Sequence, residues 1–210
     1  MEESLGEAVY KVEAPGGKLY ALKAESVSEK VPLLRLELLV MQRLQARNAT
    51  HMPDLIDKGN FENFNYIVMK LLGKSLQEAK KTGPDRHLSL GPAISVAIQC
   101  LEAIEELHWA GFLHRYSKSS DPPSPSLCTL LNAHGSAYTQ RHDHINRRRN
   151  VMLQPRKKAP FRGTPRYAPI ASHMGKEHCR KDDVESWFYM LVDFTNAHLP
   201  WKGVTSIKDV

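Results

Sequence analysis

The chain is poor in cysteine, poor in aromatics and without any long apolar run. Its three cysteines, Cys100, Cys128 and Cys179, are an odd number at wide spacings, which argues against a disulfide framework. No stretch approaches the roughly 18–20 uninterrupted apolar residues that a membrane helix needs. The best early run, Val31 to Val40, is broken by Arg35 and Glu37. A secretory leader is not expected either, because Glu2, Glu3 and Glu7 stand where its basic and apolar parts should be. No internal repeat is visible. With 41% hydrophobic and 25% charged residues the composition is that of an ordinary soluble chain, not a collagen-like, coiled-coil or wholly disordered one. The expectation is a cytoplasmic or nuclear protein with no membrane partner.

What is abundant is positive charge, a net +6 with a pI near 9.2, and it is unevenly placed. Between Tyr116 and Arg162 the acids are Asp121 and Asp143, against Lys118, Arg141, Arg147, Arg148, Arg149, Arg156, Lys157, Lys158 and Arg162. Such a block is a solvated loop or an anion-binding face. Aromatics do not interleave with Arg147–Arg149 as stacking platforms require, so specific nucleic-acid recognition is not expected. Cys128, His134, His142 and His144 match no paired zinc-ligand spacing, and His173, His178 and Cys179 read as a loop before a helix.

Periodicity divides the chain. Ala8–Val12 and Leu19–Lys23 alternate around Pro15-Gly16-Gly17, a hairpin pattern. Leu33, Leu36, Val40 and Leu44 fall three to four apart after Pro32, which predicts a helix to about Ala46. Residues 54–59 and 65–71 predict another strand pair. Beyond Gly73, the stripe Ile94, Ala97, Ile98, Leu101, Ile104 and Leu107 predicts a core helix over 90–108, started by Ser89 or Pro92. A last helix is predicted from Asp182 to Thr195, with Val184, Trp187, Phe188, Leu191 and Phe194 as its apolar residues. Between these helices the segment 116–146 shows no periodicity and holds the breaker cluster Asp121-Pro-Pro-Ser-Pro-Ser126, so it is expected to lack order. The layout is α+β: a small β-rich lobe over 1–72 with one helix, and a mainly helical lobe over 73–210.

Lys23 and Glu37 stand out because each lies among apolar neighbours. A partly desolvated ammonium needs a partner, and across the strand–helix junction the two could form an ion pair. The other reading is an edge lysine reaching water and a glutamate on the wet face of the helix.

The order Tyr20-Ala-Leu-Lys23, Leu36-Glu37, Tyr66-Ile-Val-Met-Lys70-Leu-Leu-Gly73 and Leu113-His-Arg115 resembles the parts of a protein kinase. Phe161-Arg-Gly-Thr-Pro-Arg-Tyr-Ala168, His173, Arg180-Lys-Asp-Asp-Val-Glu-Ser-Trp187 and Leu199-Pro-Trp-Lys202 resemble the casein kinase 1 group, nearest its tau-tubulin-kinase-like branch with many nematode members. The ordered set spans about 160 residues and is far more specific than a lone A-x-K.

The resemblance implies a kinase-like fold that binds ATP with Mg²⁺ and phosphorylates protein serine or threonine. Lys23 would hold the α/β-phosphates and Glu37 would orient it. Gly6 would belong to the phosphate loop. Val9 and Ala21 would cover the adenine, with Met69 at the gatekeeper position and Lys70 C=O and Leu72 N–H at the adenine edge. Asp183 would hold the loop at His114-Arg115. Arg166, with Arg162 and Lys157-Lys158 nearby, would form an anion site for acidic or pre-phosphorylated protein substrates, since arginine forks match phosphate oxygens.

The departures concern the transfer step itself. Leu5-Gly6-Glu7 runs straight into Ala8-Val9-Tyr10, as though the middle of the phosphate loop were missing. Tyr116 occupies the position of the catalytic aspartate, and a phenol of pKa about 10 is a poor proton acceptor at neutral pH. In the same register Lys118 falls on the phosphate-contacting lysine and Asp121 on the metal-binding asparagine. No Asp-Phe-Gly triplet follows, so no metal-binding set is intact. The chain also stops soon after Trp201, short of the last helices of a large lobe, which would leave the apolar face of the Asp182 helix uncovered. The expectation is a catalytically dead chain. Two origins fit: a degenerate pseudokinase, or foreign sequence over about 116–145, as from a retained intron or frameshift. Kinase-like text on both sides of a stretch rich in Ser, Pro and His favours the second.

Overall fold

The computed structural model describes residues 7–30, 32–73, 76, 80–81, 87–114, 139–140, 165–196, 198–201 and 203. Strands β1 (Glu7–Glu13) and β2 (Leu19–Ser26) form the expected hairpin. Its turn needs positive φ, which Gly16 at 97° and Gly17 at 81° adopt without a Cβ clash. Helix α1 (Leu33–Gln45) follows, then β3 (Leu55–Phe61) and β4 (Phe64–Lys70). The four strands make one antiparallel sheet in the order β1-β2-β4-β3. Placing β4 between β2 and β3 sets Ala21 opposite Met69 and Lys23 opposite Ile67.

Helix α1 covers one face of that sheet. Leu34 and Met41 pack on Ile67 and Met69, with Ala21, Leu38 and Leu55 around them. Val40 and Leu44 reach in the other direction, into a cluster with Ala103, Leu107, Ala110 and Phe112 of the helical half. Leu33 and Leu36, expected on the buried stripe, are only half-buried, and Glu37 is buried in their stead.

The helical half is built on α2 (Leu90–Trp109) and α4 (Arg180–Thr195), with β5 (Phe112–Leu113), β6 (Thr139–Gln140), a 3₁₀ turn at Pro165–Tyr167 and the short α3 (Ile170–His173) between them. Cys100 and Ile104 of α2 meet Met190 and Phe194 of α4. The Trp187 indole N–H donates to Ala97 C=O at 2.9 Å across the same contact.

Three expectations change here. Ile94, Ile98 and Leu101 are exposed, whereas Ala97, Ile104 and Leu107 are buried as expected and are joined by Ala93, Cys100 and Ala103, whose small side chains allow close approach. Helix α4 begins at Arg180, two residues early, and buries Asp182, Asp183 and Asp193 while Val184 and Phe188 face outward. Among the described residues these carboxylates meet donors of the helical half, which favours the rotation that turns them inward. A cavity of about 890 Å³ lies between the exposed sides of α2 and α4, lined by Ile94, Ile98, Leu101, Val184 and Leu191. Third, His173 belongs to α3 rather than to a loop. Within 116–146 the described residues are Thr139–Gln140, which pair antiparallel with Phe112–Leu113; the rest of that segment lies outside the described residues.

Candidate functional site

The sheet face under α1 is where the singled-out residues gather. β2 alternates so that Lys23 and Glu25 both point to the covered face, and both are buried. One turn into α1, Glu37 faces back. Lys23 Nζ donates to Glu37 Oε2 at 2.5 Å, with 5% and 1% of the two side chains exposed. The reading with both groups in water is thereby overturned. A contact this dry is a charge-assisted hydrogen bond between two buried groups, and losing either member takes an ion-pair partner from the other.

The other singled-out residues of this half lie around the pair on the same sheet. Val9 stands opposite Lys23 across β1–β2 and is exposed, Ala21 stands opposite Met69, and Met69 is buried against α1. β2 does not end at Lys23 but runs on to Ser26. Lys70 closes β4, its N–H donating to Asp54 C=O at 3.0 Å, and the chain continues through Leu71 and Leu72 without regular structure. Gly6, by contrast, lies outside the described residues.

Below the sheet, Asp183 organises the end of β5. Its Oδ2 accepts the His114 backbone N–H at 2.8 Å and faces His108 Nε2 at 2.8 Å. His114 is fully enclosed, and burial, only partly opposed by Asp183 and reinforced by His108, drives its pKa down to about 4. It is neutral at physiological pH. The residues after it are where sequence reasoning put the chemistry: Arg115, Tyr116, Lys118 and Asp121 all lie outside the described residues, as do Lys157, Lys158, Arg162, Lys202 and the candidate zinc residues Cys128, His134, His142 and His144. Among the described residues no group of three His, Cys, Asp or Glu side chains is placed to hold a metal ion.

A second carboxylate, Asp193, was not singled out by the sequence. It sits in the last turn of α4, fully buried, and gathers Lys80 Nζ at 2.6 Å, Arg166 Nη2 at 2.8 Å and the Tyr167 hydroxyl at 2.8 Å. Burial alone would raise its pKa, but these donors together hold it below the usual carboxylate range. Arg166 is thus tied down on one side, with its side chain still 36% exposed, and its carbonyl accepts the Trp201 indole N–H at 2.9 Å. The signal that could have found Asp193 is an acid beside Phe194 in an apolar helix end. Glu106 is another omission: it leaves α2 to accept the backbone N–H groups of Thr50 and His51 at 3.0 and 3.2 Å, latching the helical half to the loop after α1.

The sequence is similar to those of known protein kinases. The chain is 35% identical over 192 residues, 87% of its length, to a probable serine/threonine-protein kinase of Dictyostelium discoideum, of which it covers 36%. It is 28% identical over 195 residues to the serine/threonine-protein kinase spe-6 of Caenorhabditis elegans, covering 90% of this chain and 50% of that one. A second C. elegans relative, also named as a serine/threonine-protein kinase, is 33% identical over 200 residues, with 58% of its length covered. Its relatives are serine/threonine protein kinases. The α+β arrangement of sheet, α1 and helical half is that of a partial protein-kinase fold, and the chain spans between about a third and three-fifths of the length of these curated relatives. No protein-family model matches the chain. No helix among the described residues is long and apolar enough to cross a membrane.

Proposed function

We propose that this chain is a protein-kinase domain of the casein kinase 1 group, in its tau-tubulin-kinase-like branch, that keeps the Lys23–Glu37 pair of the nucleotide site but, with its phosphate loop shortened, holds ATP at most weakly and does not itself transfer phosphate. The observation that carries this reading is the dry Lys23–Glu37 contact between strand and helix. An ammonium fixed in that way is aimed to meet the α/β-phosphates of ATP, with Val9, Ala21 and Met69 against the base and Lys70 C=O and Leu72 N–H at its edge. Asp183 serves the loop by fixing the His114 N–H. ATP with Mg²⁺ is the ligand of the ancestral activity, and protein serine or threonine its acceptor.

Transfer fails in this reading for want of two groups. Phosphoryl transfer depends on positioning and on the electrostatics of the metal. Tyr116 cannot take the substrate proton at neutral pH, and no Asp-Phe-Gly carboxylate supplies the main metal ligand. A shortened phosphate loop at Gly6 weakens nucleotide capture as well, since fewer backbone N–H groups can close over the phosphates.

A second reading is a scaffold that holds nucleotide or an acidic or pre-phosphorylated peptide without turnover. The half-exposed guanidinium of Arg166 favours it, because the side turned from Asp193 can meet an anion. Radiolabelled ATP·Mg incubated with casein tests the proposal. The chain and its Lys23→Met variant are expected to give the same background, with little change in melting temperature on adding ATP·Mg. Incorporation that Lys23→Met abolishes would overturn the claim of inactivity. A clear rise in melting temperature without incorporation would move the assignment to the scaffold.

A further inference from the structure

Helix α1 has an unusual start. Its N-cap is Pro32, which has no side-chain acceptor, and its first turn contains no acid. The orphan N–H groups of a helix N-terminus need acceptors, and the positive end of the helix dipole favours an anion. Both needs are met from another element. Glu25 of β2 places Oε1 2.7 Å from the Leu33 N–H and 3.0 Å from the Leu34 N–H. Glu25 is 2% exposed, and its other oxygen, Oε2, is buried with no hydrogen-bond partner among the described residues. A buried carboxylate left half-satisfied is costly, so its place at the helix start calls for a compensating role.

Lys23 and Glu25 are two residues apart on the same face of the same strand. Lys23 grips α1 in its second turn, through Glu37, and Glu25 grips its first. We infer that Glu25 is a positioning residue: a strand-borne cap that pins the start of α1 to β2 and so fixes the register in which Glu37 meets Lys23. The sequence itself supplies no capping residue on α1, which makes the tie to β2 the device that docks the helix. Its value for nucleotide binding rests on the kinase reading above; the tie itself does not.

The test separates a cap from a tether. Pro32→Asp combined with Glu25→Ala gives α1 a cap of its own and removes the link to β2. Coupling between Lys23 and Glu37 is measured by a double-mutant cycle of Lys23→Met and Glu37→Gln on urea unfolding, which needs no nucleotide. The coupling constant is expected to fall at least about fivefold relative to the parent chain. Unchanged coupling in the recapped variant would reduce Glu25 to an ordinary helix cap and overturn the inference. If that variant does not fold, Glu25→Gln keeps the acceptor and removes the charge. Amide exchange at Leu33 and Leu34 should then quicken at least about threefold, because the charge is the larger part of an N-terminal interaction. Unaltered exchange there would overturn the inference too. Nucleotide affinity, followed in parallel, reports on the kinase reading separately: absent binding with the predicted loss of coupling would leave the tether standing and sink only its catalytic meaning.

Discussion

The two halves of the molecule bury charge in different ways. In the β-rich half the charge lies at a junction of two elements, with β2 carrying Lys23 and Glu25 and α1 answering through Glu37 and its first-turn amides. In the helical half a single carboxylate, Asp193, draws in Lys80, Arg166 and Tyr167 from segments more than a hundred and about 27 residues away. A junction holds an orientation, which a site needs, whereas a hub holds segments together, which a fold needs. Removing one side of a junction takes from its partner the ion pair that sets the orientation. Removing one spoke of a hub leaves the others.

That difference can be broken or sharpened by substitution. The largest effect belongs to the junction: Lys23→Met or Glu37→Gln alone should cost about 3–5 kcal/mol in urea unfolding, and the pair together less than the sum. If each single variant cost under about 1 kcal/mol, as an exposed pair does, the junction would be no more than a surface contact. The hub comes next. Asp193→Asn should cost about 2–3 kcal/mol by the same measurement, since it leaves the buried Lys80 ammonium facing a neutral group, while Arg166→Ala, a half-exposed spoke, should cost about 1 kcal/mol or less. Equal costs would erase the distinction between hub and spoke.

Acidity addresses the helical half specifically. His114 has a folded pKa of about 4, below its ordinary 6.5, so the unfolded chain binds the proton more readily and stability falls as pH drops from about 6.5 toward 4. Between pH 7 and 5 the loss should be about 2 kcal/mol, and His114→Gln should remove most of that slope. A slope untouched by His114→Gln would contradict the enclosure of this side chain. Asp193, whose pKa is lowered, acts in a different window: its contribution is present above the ordinary carboxylate pKa and is withdrawn only as pH falls below about 4. The smallest effect is expected at the latch between the halves, where Glu106→Ala should cost about 1 kcal/mol through the lost Thr50 and His51 hydrogen bonds. A loss confined to one half, seen by amide exchange at Thr50 and His51, would fit a latch; no change there would not.

Local pattern made the β-rich half legible. The Gly16-Gly17 turn, the alternation of β2 and the isolated charges at 23 and 37 all express local pattern, whereas the strand order, with β4 between β2 and β3, rests on contacts distant in sequence. Helix existence in the other half was legible for the same reason, but helix rotation was not. The stripe Ile94, Ile98 and Leu101 reads as core, yet α2 buries its small residues because α4 approaches closely with Met190 and Phe194. Likewise α4 turns on the needs of Asp182, Asp183 and Asp193, whose donors come from Cys179 N–H, His114 N–H and the distant Lys80. Hydropathy counts apolar residues and has no term for a carboxylate that must face inward. Glu25 escaped notice on similar grounds: a cap supplied from a preceding strand leaves no mark in the helix's own sequence.

The central claim is the dry ammonium–carboxylate contact, and the most direct measurement of it is the ¹⁵N-detected signal of the Lys23 side-chain NH₃⁺ at neutral pH. Solvent-exposed ammonium protons exchange too fast to leave a sharp resonance, whereas a buried, hydrogen-bonded one persists. The account predicts a persistent Lys23 signal that disappears in Glu37→Gln. A Lys23 signal absent from the parent chain, or one indifferent to Glu37→Gln, would contradict it.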